Sequence, residues 1–135
     1  MIPAARTGPH PVPITIQPII ISADVERLVA FYAGLLGAEP TSRVPEEGPV
    51  FFVGLRVDDA EFGIVAEQAP ADPGAAPRMV LSVDVPDVDG LLDRVTELGG
   101  TVLGPPNDMP WGQRVAHVRD PDGNPVNLTR SVAVG

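Results

Sequence analysis

The sequence predicts an α+β fold made of two βαβββ modules that form a curved mixed sheet, with the helices on its outer face. Three observations carry the prediction. First, the chain repeats itself. Asp24, Val25, Leu28, Val29, Tyr32, Leu35 and Gly37 recur as Asp87, Val88, Leu91, Leu92, Val95, Leu98 and Gly100, at a constant spacing of 63 residues. Second, the residues around these blocks alternate as strands do. In Leu81-Ser82-Val83-Asp84-Val85 the apolar members share one face, and in the last strand Val126 and Leu128 share a face while Asn127 and Thr129 take the other. Third, each half closes on two apolar runs joined by a polar turn, Asp58 to Glu61 in the first and Asp120-Pro121-Asp122-Gly123-Asn124 in the second. A repeated unit that cannot bury its own apolar face needs a partner, and the seam between two such units is a natural cleft.

The elements follow in order. Residues 1–13 hold four prolines and read as an extended tail. Ile14 to Ile21 is β-branched and apolar, a strand. Ser22 or Asp24 caps the next helix, Asp24 and Glu26 suit its positive N-terminal end, and Gly37 stops it. Its buried stripe is Val25, Leu28, Val29, Tyr32, Leu35 and Leu36. Strands are expected near Glu39 to Val44, over Pro49 to Val57 and over Phe62 to Glu67. The second half gives a strand over Arg78 to Val85 and a helix capped by Asp87, with Val88, Leu91, Leu92, Val95 and Leu98 inward and Gly99-Gly100 as its stop. A strand over Thr101 to Leu103 and a loop over Gly104 to Pro110 come next. Strands over Arg114 to Arg119 and Pro125 to Arg130 complete the half. The modules thus span residues 14–68 and 78–130, joined by a Pro, Ala and Gly-rich linker at 69–77, in one structural domain.

Composition narrows the functions. The chain has 135 residues and is 44% hydrophobic, enough for one domain with a core. Its longest mainly apolar stretch, Val29 to Ala38, is too short to cross a bilayer. The first residues lack a basic start followed by an apolar run, so no signal peptide is expected and the cytoplasm is the default location. Cysteine is absent, which excludes thiol catalysis and disulfides. All nine bases are arginine, which removes Schiff-base chemistry and a P-loop lysine. A net charge of -9 would repel nucleic acid, and an apolar or cationic small molecule suits the balance better.

Phe31-Tyr32 followed by Leu35-Leu36-Gly37, and Trp111-Gly112-Gln113-Arg114 leading into Asp120-Pro121-Asp122-Gly123-Asn124, resemble the vicinal oxygen chelate superfamily. That group includes glyoxalase I, ring-cleaving extradiol dioxygenases, fosfomycin-resistance enzymes and bleomycin-resistance proteins, and the likeness here leans towards the last. The resemblance runs from Ile14 to Arg130 and implies a fold rather than a chemistry. It also implies a homodimer, with modules paired within a chain or exchanged between chains. Metal-bearing members place ligands on the helix-free face of the sheet. By that resemblance the ligand positions fall on Gln17, on Val80 (or Arg78 with another gap placement) and on Asn127. The fourth falls on Gly63 or Val65, with Glu61 slightly upstream. Gln17 and Glu61 are the weak metal candidates. Valine cannot ligate and asparagine is a neutral, weak donor, so no cofactor is expected; a divalent metal is the alternative.

The remaining residues suggest a binding cup. The resemblance implies that His117 faces the cavity near Asn127, where an imidazole can stack, hydrogen-bond or titrate; a half-buried strand histidine is the plain alternative. His10 lies in the tail. Trp111 is the single tryptophan, in a loop between Pro110 and Gly112 that suits a ligand wall better than core filling, and its indole N–H can orient a ligand. Phe51, Phe52 and Phe62 flank the first hairpin, so some enter the core while another lines the cup. Met79 and Met109 add adaptable apolar contact. Glu61 and Asp84 offer negative charge to a cationic ligand or are solvated edge residues, and Arg114 pairs with a carboxylate of the protein or of the ligand. Asp120 and Asp122 are read as structural turn residues.

The expected function is metal-independent binding of an amphipathic or aromatic antibiotic or metabolite. The cup is lined by Gln17, Ile19, Phe52, Val80, Trp111, His117 and Asn127. The alternatives are a metal-dependent lyase, isomerase or dioxygenase with an atypical ligand set, a metal-free isomerase or epimerase with His117 or Glu61 as base, and a carrier within a biosynthetic pathway. No serine or cysteine nucleophile motif accompanies His117.

Overall fold

Each half of the chain folds around one helix whose start and stop are written in its sequence. The computed structural model describes residues 16–67 and 79–132; the tail at 1–13 with His10, and the linker at 69–77, lie outside them. Strand β1 (Ile19–Ser22) leads into helix α1 (Val25–Leu36). The Asp24 side chain accepts from the Arg27 backbone N–H, and Gly37 closes the helix in the left-handed conformation at φ 73°. Strands β2 (Glu39–Val44), β3 (Phe52–Val57) and β4 (Ala60–Ala66) follow. The second half gives β5 (Leu81–Asp84), α2 (Val88–Glu97), β6 (Thr101–Val102), β7 (Asn107–Asp108), β8 (Gln113–Arg119) and β9 (Pro125–Ser131). Asp87 caps α2 through the Gly90 N–H, as Asp24 does 63 residues earlier.

The strand orders are β1-β4-β3-β2 in one sheet and β5-β9-β8-β6 in the other. In each, the first strand pairs in parallel with the last and the remaining pairs are antiparallel. This is the βαβββ order twice, one mixed sheet per module, with the short β7 added beside β8. α1 packs on β3 and β4, and α2 on β6, β8 and β9. Leu28, Phe31, Tyr32, Leu55, Ile64, Val95, Val118, Val126 and Leu128 fill the core between helices and sheets. Full burial of such a side chain contributes roughly 1.5–3 kcal/mol. Among the described residues no helix is long and apolar enough to cross a membrane.

The differences from the expected elements have local causes. Residues 16–18 precede β1 rather than belonging to it, and Pro18 contributes only its carbonyl, which accepts from the Gly63 N–H at 2.8 Å. Proline has no N–H for a ladder. Strand β3 starts at Phe52 rather than Pro49, and β5 at Leu81. The first hairpin turn is only Asp58-Asp59, with Asp58 at φ 50°, because Ala60 and Glu61 already pair with Val57 and Arg56. The stretch read as a loop at Gly104 to Pro110 holds β7, paired to Val115 and Arg114. Neither Asn107 nor Asp108 carries an apolar signal; Arg114 holds Asp108 at 2.9 Å. Phe31 joins the buried stripe of α1, whereas Val29 and Leu36 are half-buried.

Candidate functional site

Strand parity decides what faces away from the helices. In the first sheet Ile20, Phe62, Ile64, Val53 and Leu55 point to the helix, so Ile19, Ile21, Gly63, Val65, Phe52, Gly54 and Val44 take the other face. In the second sheet Val126, Leu128, Ala116 and Val118 are buried under α2, and Ser82, Asn127 and His117 form one row across β5, β9 and β8 on the opposite face. This helix-free face carries much of the exposed apolar bulk: Ile19 is 52% exposed, Ile21 65%, Val44 52% and Val80 50%.

The two halves meet through α1 and α2, and the free edges of β1 and β5 border a cavity between them. Ile19, Ile21, Met79, Val80 and Pro125 line this cavity, of about 230 Å³. Ile19 and Val80, both expected in the cup, therefore share a wall. Ile21, two residues from Ile19 and thus on the same face, was absent from the expected set although parity alone selects it. A second cavity, about 720 Å³, lies between the first hairpin and β5 and is lined by Asp58 to Phe62 and by Leu81 to Asp84.

Phe52 lies across the helix-free face of the first sheet. A Cβ added at Gly63 would meet its ring at 2.5 Å and one at Gly54 at 3.7 Å, and the two glycines are direct strand partners. The ring fills the space a side chain at Gly63 would take and touches Gly54, where Ser42 Oγ at 2.7 Å is the nearer neighbour. Phe62 instead enters the core against Tyr32, ring centroids 5.3 Å apart, and Phe51 is exposed.

His117 and Asn127 are direct strand partners, and His117 Nδ1 lies 2.8 Å from Asn127 Oδ1. The histidine is exposed on the helix-free face, so it is not a core histidine. One row along, Thr129 donates its hydroxyl to Asp84 Oδ1 and is buried together with Val115. Trp111 is 68% exposed, which excludes core filling. Its indole N–H donates to Gln113 Oε1 at 2.9 Å, which corrects the expectation that this N–H is free to orient a ligand. The ring faces remain available.

The expected set is thus brought together in part. Ile19 and Val80 line the cavity between the halves, Phe52 covers Gly63 beside Ile19, and His117 with Asn127 forms the neighbouring polar row. Trp111 sits at the far end of β8, beyond Gln113. Gln17 is exposed at the rim and shares a cavity of about 600 Å³ with Asp59 and Glu61. Glu61 faces Arg56 at 3.8 Å. Arg114 resolves to a protein partner: its guanidinium grips both Asp89 oxygens, at 2.7 and 2.9 Å, and Asp108. These two carboxylates raise the Arg114 pKa, and Arg114 holds that of Asp89 below the usual carboxylate value.

The positions that the resemblance gives for metal ligands offer few donors. Val80 offers no donor, Asn127 spends its carbonyl on His117, and the Phe52 ring covers the space a side chain at position 63 would enter. Among the described residues no group of three His, Cys, Asp or Glu side chains could hold a metal.

The feature least visible in the sequence is the clasp between the halves. Asp120 is 2% exposed and accepts from the Asp122 and Asn124 backbone N–H groups, from Asn124 Nδ2 and, across the two modules, from the Tyr32 hydroxyl at 2.7 Å. Asp122 receives Ser22 Oγ and the Arg27 guanidinium, both from the first half. The turn reading of Asp120 and Asp122 holds, and each also ties one module to the other. Burial, followed by the charge of Asp120, raises the Tyr32 pKa well above its ordinary value near 10.

The sequence matches the family model described as Glyoxalase/Bleomycin resistance protein/Dioxygenase superfamily over residues 13–128. Among solved structures, TioX from Micromonospora sp. ML1 is 24% identical and superposes with a TM-score of 0.69, over 90% of this chain and 99% of that one. The fosfomycin resistance protein FosX from Mesorhizobium loti is 18% identical with a TM-score of 0.65, covering 87% and 90% of the two chains. A protein of unknown function from Agrobacterium tumefaciens str. C58 is 21% identical with a TM-score of 0.70, covering 90% and 97%. At these identities the likeness is one of fold. No curated protein matches the chain at a significant level.

Proposed function

As this chain belongs to the Glyoxalase/Bleomycin resistance protein/Dioxygenase superfamily, we propose that it binds and sequesters a small amphipathic or aromatic molecule, an antibiotic or metabolite, without a metal ion. The observation that carries this reading is the helix-free face itself. It displays Ile19, Ile21, Val80 and the Phe52 ring beside the polar row of Ser82, Asn127 and His117, and it lacks a set of three strong metal donors among the described residues. Exposed apolar area of this kind gains about 25 cal/mol for each Å² that a ligand covers, and a few hundred Å² supports micromolar binding. The proposed contacts are Ile19, Phe52 and Val80 as apolar wall, Trp111 as a stacking surface at the rim, and Gln17, His117 and Asn127 as orienting groups. The fosfomycin resistance protein FosX shares the fold and lends the resistance reading its context. The same face is proposed to be completed by a second copy of the chain in a cytoplasmic homodimer, which sedimentation equilibrium checks.

The test is calorimetric titration of the full chain with a panel of flat aromatic compounds, before and after chelation. The reading expects micromolar affinities that chelation leaves unchanged and that Ile21→Asp weakens at least tenfold. A stoichiometric, tightly held divalent ion in the purified protein would overturn it. So would turnover of a bound compound that His117→Ala abolishes while binding persists, because that pattern belongs to an enzyme.

A further inference from the structure

We propose that His117 presents its Nε2 as a hydrogen-bond acceptor on the helix-free face, so that the molecule bound there is an aromatic carrying an O–H or N–H donor; the inference rests on the binding reading above. Two of the polar groups around that face are already paired, while the Ser82 hydroxyl, exposed in the same row, can itself donate or accept. The Trp111 N–H is donated to Gln113. The Thr129 hydroxyl is donated to Asp84. The Asn127 carbonyl oxygen lies 2.8 Å from His117 Nδ1. A carbonyl oxygen only accepts, so Nδ1 carries the proton. In the neutral ring the proton cannot also sit on Nε2, which is left with an in-plane lone pair. Among the described residues no hydrogen bond reaches Nε2. The ring is exposed on the helix-free face of β8, with Asn127 as its strand partner and exposed Leu103 on the other flank, where the Leu103 N–H donates to the His117 carbonyl. Asn127 is therefore a positioning residue: it selects the tautomer and fixes the ring plane, as a partner on one imidazole nitrogen does for the other. A donor-bearing aromatic lays its ring on the apolar wall and satisfies Nε2. An analogue with the donor capped leaves Nε2 stripped of water and unpaired, and is rejected for that reason.

The experiment compares 1-naphthol with 1-methoxynaphthalene by calorimetry on the full chain, and reads the imidazole tautomer of the ligand-free protein from its 15N chemical shifts. The wild type is expected to hold 1-naphthol about tenfold more tightly, and to show the proton on Nδ1. His117→Phe, a change at an exposed position, is expected to bind both probes with equal affinity. Asn127→Leu keeps the ring but removes its anchor, and is expected to shrink the preference. Equal affinities in the wild type, a preference that survives His117→Phe or is untouched by Asn127→Leu, or a proton on Nε2 would each overturn the inference while the binding reading stands. Failure of both probes to bind would overturn the binding reading and this inference with it.

Discussion

The two modules repeat each other in backbone and differ where they meet. Both helices are capped by an aspartate that accepts from the N–H three residues on, and both sheets put a parallel pair at the edge that borders the cavity between them. Yet Ser22, Arg27 and Tyr32 reach across to Asp120 and Asp122 of the second hairpin, while the residues 63 positions later are Val85, Gly90 and Val95, which have no side-chain hydrogen bonds to give. The first hairpin turn is two residues long, and the second carries a five-residue motif built around a buried carboxylate. Duplication kept what folds each unit alone and diverged in what joins them. The same division holds on the open face. The first sheet offers apolar bulk laid over Gly63, and the second offers the polar row of Ser82, Asn127 and His117.

The sharpest way to break this comparison is at the clasp. Asp120→Ala strands a buried tyrosine hydroxyl and three further donors. It is expected to cost about 3 kcal/mol or more in urea denaturation. Asp58→Gly in the first turn relieves a positive φ and is expected to be neutral or mildly stabilising. Equal losses at the two turns would show that the halves are joined symmetrically.

A smaller effect comes from Tyr32. Its folded pKa is raised by burial and by Asp120. Because the raised value belongs to the folded state, the phenol's contribution is fully present below the ordinary pKa near 10 and is lost as pH climbs beyond it. Tyr32→Phe is expected to cost about 1–2 kcal/mol at neutral pH and to flatten the alkaline loss of stability, measured by thermal melts between neutral and strongly alkaline pH.

The caps should behave alike. Asp24→Ala and Asp87→Ala are each expected to cost about 1 kcal/mol. A several-fold disparity in denaturation free energy would show that the repeated caps are not equivalent. The smallest expected effect lies at Arg114 and Asp89. The depressed Asp89 pKa means that its contribution is present above the ordinary carboxylate value and fades as pH falls through the lower, folded one. The pair is solvent-exposed, so Asp89→Asn should remove only a slight acid dependence of Tm.

Most of the scaffold was legible because its signals are local. The caps, the glycine stops and the alternation in β5 and β9 each need only neighbouring residues, and the repeat made every one of them visible twice. Strand β7 was not legible, since Asn107 and Asp108 become a strand only through Val115 and Arg114. Nor was the clasp, because Tyr32 reads equally well as one more apolar residue of the α1 stripe and nothing local links it to Asp120, 88 residues away. At the site, parity placed Val80 and Asn127 on the open face, and the resemblance placed His117 beside Asn127. Neither could reveal that the Trp111 N–H is spent on Gln113, which depends on side-chain rotamers within a loop. The resting place of Phe52 was readable in principle from facing glycines, once the register of β3 and β4 is known.

The central claim is that an apolar open face, and not a metal centre, does the binding. Calorimetric titration of 1-naphthol into chelator-treated protein, repeated with added divalent ions, tests it most directly. The account predicts one micromolar affinity, the same in both states and weakened at least tenfold by Ile21→Asp. Binding that is absent from the chelated protein and restored by a stoichiometric divalent ion would contradict it.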